Sequence, residues 1–92
     1  MFGNFRKRNK LPEDLARGPR LSDLEPGQKA KVVAVGGSEH FRVRLMELGL
    51  TAGEIIELDK LAPLQDPMEL IIRNYHLSLR REDADKIAIE QV

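Results

Sequence analysis

The sequence predicts a mainly β fold: a small, partly open β-barrel of about five strands, with a short helix inserted after the first strand and a short helical turn before the last. Three observations predict it. Short segments rich in Val, Ile and Leu recur between Lys29 and Val92, several alternating apolar with polar residues. Gly, Pro and Asn stand at the junctions between them. One segment, directly after the first strand, changes to a helical period.

The folded unit is expected to begin at Leu21, because Gly18 and Pro19 break any helix attempted by the preceding LPEDLAR. Ser22 with Glu25 three residues later has the pattern of a capping box. Pro26-Gly27 fits the central positions of a type II turn, since proline fixes φ and glycine accepts a positive one. KAKVVAV, residues 29–35, reads as the first strand, ended by Gly36-Gly37-Ser38. In SEHFRVRLMELG, Phe41, Leu45 and Leu48 share one helical face, and Ser38 or Glu39 stands where a cap or a dipole-matched acid belongs. Gly49 is the expected left-handed residue past the helix end, which makes Leu50 and Leu45 the packed pair of a Schellman ending.

Thr51-Ala52-Gly53-Glu54 is a second candidate type II turn with Gly53 in its third position. EIIELDKL then forms a strand with Ile56 and Leu58 on one face. LEPGQKAKV and LTAGEIIEL share the same layout, a strand-entry device used twice rather than a repeat. APLQDP, residues 62–67, is a loop bracketed by prolines. MELIIR and HLSLR are the next two strands, joined near Asn74, with Leu77 and Leu79 inward and His76, Ser78 and Arg80 outward. RREDADK makes a single polar turn around Ala84, and KIAIEQV closes the chain with Ile87 and Ile89 inward.

Ninety-two residues make one domain at most. The chain divides into a basic N-terminal extension, residues 1–20, and a body, residues 21–92. The extension carries Arg6, Lys7, Arg8, Lys10, Arg17 and Arg20 against Glu13 and Asp14, a net of +4, and the body balances it with nine basic and thirteen acidic residues. The absence of cysteine excludes disulfides and thiol chemistry. No apolar run approaches the ~20 residues of a membrane helix, and the N-terminus lacks the apolar stretch of a secretory signal, so the expected location is cytoplasmic and no membrane insertion is expected. The serines, Thr51 and the acids sit in caps, turns and outward strand positions, so no catalytic group is assigned. His40 and His76 are expected on the surface rather than as ligands of a metal or cofactor, a direct metal sensor using one of them being the weaker alternative. The body offers only Phe41 and Tyr75 for stacking on bases, which counts against nucleic acid as a partner. The alternative is a small barrel that binds nucleic acid or an anionic surface through its basic arm.

Three stretches carry a family resemblance: LSDLEPGQKAKV, RLMELGLTAGE, and APLQDPMELIIRNYHLSLRREDADKIAIEQV. Together they make residues 21–92 similar to the FeoA family, small cytosolic components of bacterial ferrous iron transport. Leu48-Gly49-Leu50 followed by Gly53 is the most specific element. Ala52 stands where the family commonly has proline, and Asn74 where it commonly has glycine. The resemblance implies an SH3-like barrel with an inserted helix, no catalytic residues and no cofactor. It implies a partner, the FeoB permease with its cytosolic GTP-binding domain, and an accessory or regulatory role beside it. A similar domain stands at the C-terminus of metal-dependent repressors of the DtxR type.

Surplus apolar residues then become candidate contacts: Met46, Leu50, Leu61, Leu64, Met68 and Ile71. Gly27, Gly49 and Gly53 are the structural turns that aim the elements carrying them. Open strand edges also make weak self-association an expectation.

Overall fold

Residues 11, 15, 17–61, 63 and 65–92 are described by the computed structural model of the chain. After a 3-10 turn at Leu21–Asp23 come strand β1 (Lys29–Val35), helix α1 (Glu39–Glu47), β2 (Ile55–Leu61), β3 (Met68–Ile72), β4 (Tyr75–Leu79), the one-turn helix α2 (Arg81–Ala84) and β5 (Ile87–Gln91). The five strands form one antiparallel sheet in the order β4-β3-β2-β1-β5. The sheet is not closed, so the architecture is the expected five-stranded, partly open one.

Inward-facing alternation builds the core. Ala30, Val32, Ile56, Leu58, Met68, Leu70, Ile72, Leu79, Ile87 and Ile89 line the concave side. Phe41 and Leu45 of α1, with Leu21, Leu24 and Leu50, close over it. Two bulges bend the sheet. Val33 is extra between the pairs Val32–Ile89 and Ala34–Ala88, and Asp59 is extra between Leu58–Leu70 and Lys60–Glu69. An extra residue locally increases bend and twist, which lets a flat ladder curl around so few apolar side chains.

The two strand-entry turns brace each other. Gln28 N–H donates to Glu25 C=O at 3.0 Å and Glu54 N–H to Thr51 C=O at 3.1 Å, and φ is +90° at Gly27 and +96° at Gly53. Each turn docks on the other's strand. Gly27 N–H donates to Leu58 C=O at 2.7 Å, and Gly53 N–H donates to Val32 C=O at 2.8 Å. The shared layout of the two sequences therefore caps both ends of the β1–β2 ladder.

The first turn of the body departs from expectation. The capping carboxylate is Asp23, not Glu25, and it accepts from Arg20 N–H at 2.8 Å. Ser22 is not a cap: it is buried, and its hydroxyl donates to Asp85 Oδ1 at 3.1 Å. A cap must face the free N–H groups of its own turn, and the side chain of Ser22 is drawn the other way, toward α2. Contacts of the body also extend back past Leu21. Ile89 N–H donates to Pro19 C=O at 3.1 Å, Arg20 bridges Ala88, and Arg20 Nη1 donates to Asp85 C=O at 2.7 Å. This segment covers the outer edge of β5. A side chain added at Gly36 would come within 3.2 Å of Leu11 Cγ, which places Leu11 against the end of β1.

Candidate protein-binding surface

Helix α1 begins with Ser38, whose Oγ accepts from Phe41 N–H at 3.1 Å. It ends as a Schellman motif. Leu50 N–H donates to Leu45 C=O at 2.9 Å, and Gly49 N–H donates to Met46 C=O at 3.0 Å with Gly49 at φ +92°. Leu45 and Leu50 are both buried, so the ending is fastened to the core. That anchorage fixes which side of α1 faces out. Val43, 42% exposed, and Met46, 56%, stand opposite Phe41 and Leu45, while Leu48, on the Phe41–Leu45 side, is 37% exposed at the end of the helix.

Two parts of the chain distant in sequence meet at this corner. The β3–β4 turn runs through Arg73 and Asn74, both with positive φ, +47° and +74°. A pair of positive φ values is the geometry of the tight hairpin turn whose twist matches that of its strands. Asn74 thus meets the need that glycine meets elsewhere. Beyond the turn, Tyr75 sits with its hydroxyl 3.4 Å from where a side chain at Gly49 would begin. The Arg73 guanidinium forms two hydrogen bonds with the Glu54 carboxylate, one from Nε at 2.9 Å and one from Nη2. That hydrogen bonding, then the charge of Glu54, raises the Arg73 pKa above its ordinary value. The pair ties the hairpin tip to the turn after α1. Tyr75 is thereby held beside Gly49, the residue that ends α1.

The sequence-based contacts do not converge on one patch. Met46 lies at the exposed corner. Ile71 lies on the solvent face of the sheet, directly opposite Glu57 on one side and His76 on the other. Leu61 ends β2 half-buried against the core. Leu64 lies outside the described residues. Leu50 and Met68 are corrections, being 1% and 0% exposed. Leu50 is drawn in by the Schellman ending. Met68 shares the inward parity of Leu70 and Ile72 and cannot face a partner while β3 is paired.

Five exposed apolar residues escaped the sequence reading of contacts: Val43, Leu48, Ile55, Tyr75 and Val92. Leu48, expected on the buried face with Phe41 and Leu45, stands past the last turn of α1 as its C-cap and is left partly open there. Val43 lies three residues before Met46 and off the Phe41–Leu45 face. Ile55 has the opposite parity to Ile56 and Leu58, so period-two reasoning could have found it. Nothing local marks Tyr75.

His40 and His76 are both exposed. Among the described residues no group of three or more His, Asp or Glu side chains is arranged to hold a metal ion, and no helix is long and apolar enough to cross a membrane. Arg6, Lys7, Arg8 and Lys10 of the basic arm lie outside the described residues.

Comparison with known proteins places this architecture. The family model described as the FeoA domain matches residues 20–91. A Porphyromonas gingivalis protein described as an Fe(2+) transport protein A/Fe(2+) transporter FeoB fusion is 45% identical over 73 residues, covering 79% of this chain and 9% of the fusion. The solution structure of FeoA from Chlorobium tepidum superposes with a TM-score of 0.76 at 35% identity, covering 80% of this chain and 70% of that one. The fold is also that of the zinc complex of Stenotrophomonas maltophilia FeoA, described as a prokaryotic SH3 domain protein, with a TM-score of 0.69 at 23% identity over 79% of this chain and 91% of that one. With the family model spanning all five strands, this chain belongs to the FeoA family.

Proposed function

We propose that this chain is a non-enzymatic accessory of ferrous iron transport that acts by binding the cytoplasmic part of a FeoB-like permease. The observation that carries the reading is the fusion relative, in which a segment 45% identical to this chain shares one polypeptide with a FeoB transporter. Fusion holds two partners at high effective concentration, which is an advantage only when they act together. The chain spans about 9% of that relative's length, so the rest of the fusion supplies whatever transport and nucleotide chemistry it performs.

The contact surface proposed is the corner where α1 ends: Val43, Met46 and Leu48, with Tyr75 beside Gly49. Exposed apolar side chains grouped on a rigid element suit a protein partner. Ile71, Leu61 and Leu64 remain secondary candidates, and Ile71 is joined by its outward neighbour Ile55.

The test is binding of the purified chain to the cytosolic part of its cognate permease, with and without guanine nucleotide. Saturable binding that Met46→Glu abolishes without lowering thermal stability is the expected result. Nucleotide dependence would tie the contact to the GTPase cycle. Unchanged binding by both Met46→Glu and Tyr75→Ser would remove this corner from the interface, and absence of binding in either nucleotide state would remove the proposed partner.

A further inference from the structure

The two edges of the sheet are treated differently. The β5 edge is covered by Pro19 and Arg20 through backbone pairing. The β4 edge has no such cover among the described residues. Its hydrogen-bonding pattern follows from the hairpin. A two-residue turn closes on a mutually bonded pair, here Ile72–Tyr75, and bonded pairs then recur at Leu70–Leu77 and Met68–Leu79. The backbone N–H and C=O groups of His76 and Ser78 consequently point away from the sheet. An uncovered row of this kind is a template for another strand.

We infer that β4 pairs antiparallel with β4 of a second copy of this chain, about a two-fold axis at Leu77. The sequence of the edge is self-complementary in that register. It is the register in which all five residues of β4 overlap, Tyr75 facing Leu79 and Leu77 facing Leu77. It places the outward groups of His76 against those of Ser78 in the other copy, twice over by symmetry. The half-buried Leu77 and the exposed Tyr75 gain apolar neighbours across the seam. Among the five paired residues of β4 no two like charges face each other. Sliding by two residues in one direction sets His76 against Arg80, and in the other sets His76 against His76, with fewer residues overlapping in both cases.

The surface beyond β4 fits the same arrangement. The register puts Asn74 of one copy beside Arg80 of the other. There, an open cleft of ≈ 660 Å³ is lined by Asp66, Pro67, Ser78, Arg80 and Glu82. The cleft walls are braced from behind: Arg81 N–H donates to Asp66 Oδ1 at 3.0 Å, and its guanidinium donates to Gln65 C=O at 3.2 Å and Ser22 C=O at 3.0 Å. Two five-residue strands form a seam smaller than the ~1,200 Å² of stable complexes, so the association is weak and depends on concentration.

The experiment is sedimentation equilibrium of the full chain from micromolar to millimolar concentration, with two double variants on the solvent-facing row. His76→Lys with Ser78→Lys sets lysine against lysine twice and is expected to be monomeric throughout. His76→Glu with Ser78→Lys sets opposite charges together twice and is expected to lower the dissociation constant roughly tenfold relative to the wild type. Both variants carry the same Ser78→Lys change beside Glu69, whose carboxylate accepts from Ser78 Oγ at 2.8 Å in the wild type, so that local perturbation is common to the two. Amide exchange at His76 and Ser78 should slow as the wild-type chain is concentrated. A wild type that stays monomeric at millimolar concentration, or two variants that associate alike, would overturn the pairing. Protection of these amides in a monomeric chain by the cytosolic part of the permease would overturn it too, and would give the edge to that partner.

Discussion

Replacing Gly49 by alanine tests the link between local backbone chemistry and the corner most directly. Gly49 sits at φ +92°, farther from the ordinary range of L residues than the usual left-handed value of about +57°. A Cβ there costs on the order of 1–2 kcal/mol in conformational strain. It would also stand 3.4 Å from the Tyr75 hydroxyl, an ordinary contact, so steric conflict adds little. Alanine narrows the unfolded ensemble and returns about 0.4–1 kcal/mol, but only where the native backbone accepts it, and here it does not. If the chain relaxes φ instead, the bonds from Leu50 to Leu45 and from Gly49 to Met46 weaken, at about 0.5–1.5 kcal/mol each. Either route gives a loss of about 1–3 kcal/mol. The assay is urea unfolding, with an unchanged slope and a lowered midpoint, supported by a melting temperature reduced by at least ~4 °C. Gly27→Ala is the control, because Gly27 has a similar φ of +90° and no atom within 4 Å of its added Cβ. A Gly49→Ala protein within ~0.5 kcal/mol of the wild type would refute the Schellman ending as a source of stability.

The remaining expectations divide core from surface. Leu50→Ala should cost about 2–5 kcal/mol in chemical unfolding and Met46→Ala less than ~0.5 kcal/mol, since one is buried and the other is 56% exposed; equal losses would contradict the orientation of α1. Ser38→Ala should lower stability by roughly 1 kcal/mol through loss of the cap on Phe41 N–H, and a neutral result would mean that solvent replaces it fully. Asp85→Ala should free the Ser22 hydroxyl and remove the carboxylate 3.7 Å from Arg20 Nη1, while the bond from Arg20 to the Asp85 carbonyl stays; accelerated amide exchange at Ile89, which donates to Pro19 C=O, would reveal the loosening. The Arg73–Glu54 pair should give no arginine-linked pH dependence between mild acid and mild base. A raised arginine pKa contributes stability that is complete below the unfolded value and lost only in strong alkali, so a titration of stability near neutrality that vanishes in Arg73→Gln would contradict the assignment.

The features legible in the chain alone are local ones. Pro26-Gly27, Gly49 and Gly53 each specify a backbone conformation open to few other residues, and the strands and helix between them announce themselves by period. These signals act over a few residues, so they survive without knowledge of the rest of the chain. Met68 and Ile55 were also within reach, since the alternation that places Leu70 and Ile56 inward puts Met68 inward with them and Ile55 on the opposite face. Which surfaces are left over is a matter of packing. Ser22 turns from cap to buried partner because Asp85, far along the chain, lies beside it. Tyr75 reaches the end of α1 because the β3–β4 turn is tied to Glu54. The order β4-β3-β2-β1-β5 leaves β4 without backbone cover among the described residues, while Pro19 and Arg20 close the opposite edge. Such outcomes depend on which distant segments compete for the same hydrogen bonds and the same apolar area, and only the completed packing resolves that competition.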